Sequence, residues 1–129
     1  MQFIQYLRRE AGSNTVGFAL VAPLLIGAFL AVSQIANVVN VQTVMHAAAI
    51  SGAREAGRYD ASIVDGATKA KSILANHGIT EFDQLTVINK KLSGQEIIEI
   101  SITKNYRIPW LDFSFKLTAV GQSLNEKYL

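Results

Sequence analysis

Val16 to Val39 reads VGFALVAPLLIGAFLAVSQIANVV, a run without a single charged side chain. As a helix it measures about 36 Å at ~1.5 Å per residue, against a hydrocarbon layer ~30 Å thick, so it can cross a bilayer with some tilt. The charge-free stretch is longer still, since no Asp, Glu, Lys or Arg occurs between Ala11 and Ala53. The expectation is one membrane-crossing helix near the N-terminus, with the remainder displayed on one side. A removable secretory signal has an apolar core of about 7–15 residues and a small-residue cleavage site close behind it. This run is longer, and the Ala47-Ala48-Ala49 cluster falls too far downstream to serve.

The flanks set an orientation. Arg8 and Arg9 precede the run, opposed only by Glu10, whereas Arg54 and Arg58 beyond it are balanced by Glu55 and Asp60. The positive-inside rule then puts the N-terminus in the cytoplasm and the C-terminal part outside it. That part, Arg58 to Leu129, is small, and a domain of such size buries only ~60% of its unfolded surface. It has no cysteine, which excludes a disulfide staple and a thiolate metal site. It is expected to lean on the end of its own anchor helix or on neighbouring subunits. The formal charge is +2, with Lys and Arg dispersed, so the surface does not read as one for nucleic acid.

Beyond the run, Asn40 to Tyr59 has no proline and is rich in Ala, which predicts that the helix continues to about Tyr59. Gly52 and Gly57 weaken that outer part in isolation, by ~1 kcal/mol each relative to Ala, and imply close packing in return. Asp60 is expected to cap a second helix, Ala61 to Asn76, ended by Gly78. Ile63, Ala67, Ala70, Leu74 and His77 share one face of it, with Asp65, Lys69 and Lys71 turned to water. The rest reads as strands. Ile98, Ile100, Ile102 and Tyr106 alternate with polar residues, as do Phe113, Phe115, Leu117 and Ala119. A weaker strand, Leu85 to Leu92, leads through Ser93-Gly94 into the first of these as a hairpin. Ile108-Pro109-Trp110 breaks the chain before the last strand. The fold class expected is α+β: a long N-terminal helix, a second helix and a three-stranded antiparallel meander.

The N-terminal residues also resemble a known family. Arg8-Arg9-Glu10-Ala11-Gly12, then Ser13, then an uninterrupted apolar helix, is similar to the class III signal sequences read by prepilin peptidases. More narrowly, Gly-Ser-x-x-Val-x-Phe-Ala-Leu-Val-x-Pro (Gly12 to Pro23) followed by Ala-Ala-x-x-Gly-Ala-Arg-x-Ala (Ala48 to Ala56) resembles the TadE-like minor pseudopilins. The resemblance covers about the first 60 residues. It implies a pilin-like fold in three parts: a leader over 1–12, a membrane and extended helix over 13–59, and an extracytoplasmic α+β domain over 60–129. It implies cleavage between Gly12 and Ser13, and a structural role in a Tad (type IVc) pilus or its secretion machine, in pilus initiation or assembly. The partners implied are the lipid bilayer, other pilin or pseudopilin subunits, the prepilin peptidase and the inner-membrane assembly platform. The place implied is the bacterial inner membrane, or the pilus itself.

One position departs from the pattern. The family usually has Glu where this chain has Gly17. In pilins that Glu is thought to meet the freed amine of a neighbouring subunit within the membrane, where an unpaired charge is costly. With Gly17 the chain offers an amine and no acid, as does the tip pseudopilin of the related type II secretion apparatus. The other reading is that TadE-like proteins do not pack as a repeating filament, so the Glu is dispensable.

Gly27 and Ala31 form a small-xxx-small pair of the kind that lets two membrane helices approach closely, and Ala48/Gly52 and Ala53/Gly57 repeat the spacing. Packing between subunits is the expectation for Gly27/Ala31, and packing within the chain for the outer pairs. Ser33, Asn37 and Asn40 line one face where the helix leaves the membrane, either to hydrogen-bond a partner helix or simply to meet headgroups and water. Pro23 loosens a helix interior or marks its first turns. His46 and His77 have no carboxylates at ligand spacing, and His77 is placed to meet the carbonyls at a helix end. Trp110 either anchors an interface or caps the open edge of the small core, and the cap is the preferred reading. No nucleophile elbow, phosphate loop or acid pair stands out, so neither an enzyme, a cofactor nor a small-molecule substrate is expected. The rival to a pseudopilin is an unprocessed single-pass membrane protein with a small binding or sensing domain outside the cytoplasm.

Overall fold

In the computed structural model, residues 2–128 of the backbone and the side chains of residues 12–128 are described. Arg8 and Arg9 therefore lie outside the described side chains. The element order is α1 (Gln2–Gly57), α2 (Ile63–Asn76), β1 (Gln84–Leu92), β2 (Gln95–Arg107), β3 (Ser114–Leu124) and a short 3-10 turn at Glu126–Tyr128. This is the α+β arrangement expected, with the sheet antiparallel in the order β1-β2-β3. Two units divide the chain, Met1–Asn37 and Val38–Leu129.

The first unit is helical, and α1 continues through Pro23. Proline has no N–H to give, so the Ala19 carbonyl lacks its usual donor one turn on. The helix extends beyond the predicted Val16 start and stops at Gly57, short of Tyr59.

The second unit takes its core from both helices and the sheet. Met45, Leu74, Ile100 and Ile102 are its largest fully buried side chains, each stabilising the fold by ~1.5–3 kcal/mol relative to exposure. Ala48, Ala49, Ala53 and Ala70 fill the spaces between them. The outer half of the long helix is thus a core element of the small domain.

Two expectations for the second helix are corrected. Its N-cap is Ser62, not Asp60. The Ser62 hydroxyl accepts from the Asp65 backbone N–H at 3.2 Å, and the Ser62 N–H donates to the Asp65 carboxylate at 2.7 Å, a reciprocal capping box. Asp60 is occupied otherwise, pairing with Arg58 at 3.2 Å. The buried face runs through Gly66, Ala70 and Leu74, while Ile63 and His77 are exposed. The C-terminal end agrees with the sequence reading: His77 is the C-cap, and Gly78 follows at φ 75°.

In β2 the expected alternation holds, with Ile98, Ile100, Ile102 and Tyr106 buried. Leu92 pairs with Gln95 across Ser93 and Gly94, whose φ values of 51° and 84° give the two-residue turn that suits the strand twist. The last strand differs. It starts after Phe113, which is exposed, and runs on past Ala119 to Leu124.

Candidate functional site

Among the described residues no group of three or more His, Cys, Asp or Glu side chains is placed to hold a metal ion. His46 is exposed beside Gln42, with 3.1 Å between His46 Nε2 and Gln42 Nε2. His77 Nδ1 lies 2.9 Å from the Ile73 carbonyl, the helix-end role expected of it. A shallow cleft lined by Glu55, Asp65, Thr68, Lys69 and Ser72 has mixed charge. Asp65 is held below the usual carboxylate range by the Ser62 backbone N–H and then by the Ser62 hydroxyl. That shift belongs to the helix cap.

The surfaces with something to offer are apolar. From Val16 to Ile35 the large side chains of α1 are exposed, Leu24 being 74% accessible. The helix is long and apolar enough to cross a membrane, and its most apolar window has no residue buried within the protein. A core helix of a water-soluble protein would bury that stripe. Among the described residues, nothing outside the adjoining helix lies within 4 Å of where a Cβ on Gly17 or Gly27 would sit. Ala31, Ser33, Asn37 and Asn40 are exposed as well. Gln34, unremarked in the sequence, carries a carboxamide oxygen that is buried without a hydrogen-bond partner.

Gly52 behaves differently from Gly17 and Gly27. A Cβ on it would lie 2.7 Å from the Gly66 carbonyl oxygen, 2.8 Å from Ile100 Cδ1 and 2.9 Å from Ala70 Cβ. A Cβ on Gly66 would run into Ala56 Cβ, and one on Gly121 into the Ala49–Ile50 backbone. The small residues in the C-terminal half of α1 therefore pack within the chain, against α2 and the sheet. Gly66 and Gly121 were silent in the sequence, since a glycine adds nothing to a hydropathy pattern.

The long helix and β3 run in the same direction. Gln42 Nε2 donates to the Thr118 carbonyl at 2.8 Å, Gly121 abuts Ala49 and Ile50, and Gly57 abuts Leu124. Trp110 does not close the core. It is 56% exposed, and Ile108 and Phe115 pack there instead.

The long helix also carries the likeness to known proteins. Residues 12–54 match the family model described as TadE-like protein. That segment is similar to the family, over about a third of the chain. The match begins at Gly12 and lies wholly on α1. No curated protein and no solved structure matches the chain.

Proposed function

We propose that this chain is a minor pseudopilin-like structural component of a Tad (type IVc) pilus assembly or secretion system, acting in pilus initiation or assembly. The observation that carries the reading is the coincidence of the TadE-like match with an exposed apolar helix. The match opens on Gly12-Ser13, the pair at which a prepilin peptidase would cut, with Arg8 and Arg9 as the basic leader before it. Arg8 and Arg9 hold the N-terminus in the cytoplasm, so the Val38–Leu129 unit stands outside the inner membrane.

The membrane helix offers its sides to other pilin or pseudopilin subunits and to the assembly platform. Gly27 and Ala31 give a close-approach stripe. Asn37 and the Gln34 amide add polar groups, and an interhelical hydrogen bond of this kind contributes ~1–2 kcal/mol at best. The role is architectural.

In cells bearing a Tad pilus that uses this chain, its deletion should abolish pili and pilus-dependent surface attachment. The wild-type chain should restore both, and Gly12→Leu, which blocks the cut but not insertion, should not. Full piliation without the chain would contradict the reading.

A further inference from the structure

We propose that the loop between β2 and β3 is a second membrane contact, with Trp110, Leu111 and Phe113 seated in the lipid interface. The proposal rests on α1 crossing the bilayer.

The three side chains are 56%, 51% and 55% exposed. A loop displaying Trp, Leu and Phe together is costly in water at ~25 cal/mol per Å² of apolar surface. The loop is also braced by its own hydrogen bonds. The Leu111 N–H donates to the Ile108 carbonyl at 3.3 Å, making Pro109 and Trp110 the centre of a tight turn. The Ile108 N–H donates to the Phe113 carbonyl at 3.1 Å. Arg107 and Asp112 pair across the base at 2.8 Å. Ile108 and Phe115 root the loop in the core that also holds Val38 and Val41.

Its position in the Val38–Leu129 unit identifies the occupant. From Gln42 to Gly57 the helix rises about 22 Å at ~1.5 Å per residue. The facing stretch of β3, Thr118 to Leu124, rises about 20 Å at ~3.3 Å per residue. The two therefore run nearly side by side. Back from Thr118, Ser114 lies about 13 Å away, whereas only about 6 Å of helix separates Gln42 from Val38. The loop accordingly sits at the Val38 edge of its unit. At that edge the chain passes covalently into the apolar anchor, so that edge meets the bilayer. Counting ~20 residues from Val16 puts the outer boundary of the hydrocarbon near Ile35, and Trp is enriched at such boundaries, its ring amphipathic. The nearby charges are mixed: Arg107 with Asp112, Lys104 donating to the Glu81 carbonyl, and Lys116. Apolar insertion of the loop, rather than attraction to anionic lipid, makes the contact.

Trp110 is the only tryptophan of the chain, so its emission reports the loop without labelling. The full chain should be reconstituted at low density in vesicles of phosphatidylcholine, checked by flotation. Lipids brominated near the top of the acyl chain should then quench the emission about twofold, matching an interfacial depth of ~5–10 Å. Lipids brominated near the chain end should quench it less, and aqueous iodide should be excluded. In Leu111→Ser/Phe113→Ser, bromolipid quenching should fall and iodide access rise. A floating chain whose tryptophan is open to iodide and untouched by bromolipid overturns the loop contact while leaving the anchor intact. Shielding from iodide without bromolipid quenching also overturns it, by pointing to a second copy of the chain as the occupant. A chain that does not float with the vesicles overturns the anchor itself.

Discussion

Gly52 of α1 and Gly66 of α2 lie so close that a Cβ on the first would stand 2.7 Å from the carbonyl oxygen of the second. This contact makes the C-terminal end of α1 a packed part of the small domain. It also explains why the domain tolerates two glycines inside helices, each costing ~1 kcal/mol in propensity: the backbones approach where no side chain fits.

Gly52→Ala and Gly66→Ala should therefore destabilise the Val38–Leu129 unit, by ~1–3 kcal/mol as overpacking does. Gly27→Ala, with open space around it, should leave its unfolding unchanged. Denaturant titration of the detergent-solubilised chain, followed by circular dichroism, separates the two classes. Equal effects at all three sites would contradict the close contact.

Ile100→Ala should cost more. Ile100 is fully buried in the central strand, beside Gly52, and truncations of this type cost ~2–5 kcal/mol. The same titration should show the larger shift in midpoint.

Acid should loosen the start of α2. The Asp65 carboxylate is held below its ordinary range by the Ser62 backbone N–H and hydroxyl. A carboxylate depressed in the folded state adds stability above its unfolded value of about 3.9, and loses it as pH falls through the folded value. Stability should decline as the pH drops below about 4, and Asp65→Asn should flatten that part of the profile. Amide exchange at Gly66 and its neighbours reports the change.

Gly17→Glu tests the departure from the pseudopilin pattern. Among the described residues, nothing beyond its own helix lies within 4 Å of a Cβ built on Gly17, and a charge within the membrane costs up to ~2.5–3.5 kcal/mol unless paired. For a subunit at the tip, with no further neighbour to supply an amine, piliation should fall while cleavage after Gly12 proceeds. Wild-type piliation would show that the glycine carries no such meaning.

The sequence showed most clearly what depends on apolar periodicity. The anchor, the one-sided pattern of Ile98, Ile100 and Ile102, and the turn at Ser93-Gly94 were all legible. Where two polar residues competed, it was not. Asp60 and Ser62 are both good caps, and the choice turns on Arg58 drawing Asp60 away while Asp65 stands three residues after Ser62. The N-terminal end of the buried face of α2 was misread because Gly66, which adds nothing to a hydropathy pattern, takes the place expected of Ile63, and β3 was cut short because Gly121-Gln122-Ser123 has no strand character of its own. Trp110 was read as an interface anchor or, by preference, as a cap on the open edge of the core. Its exposure follows from the turn at Pro109, which carries it past the end of the sheet.

The most direct measurement is the intact mass, with N-terminal sequence, of the chain extracted from membranes of a host with its prepilin peptidase. The expected product begins at Ser13, and the same host without the peptidase should yield the form beginning at Met1. Recovery of only the Met1 form from the peptidase-competent host would contradict the pseudopilin reading and leave an unprocessed membrane anchor.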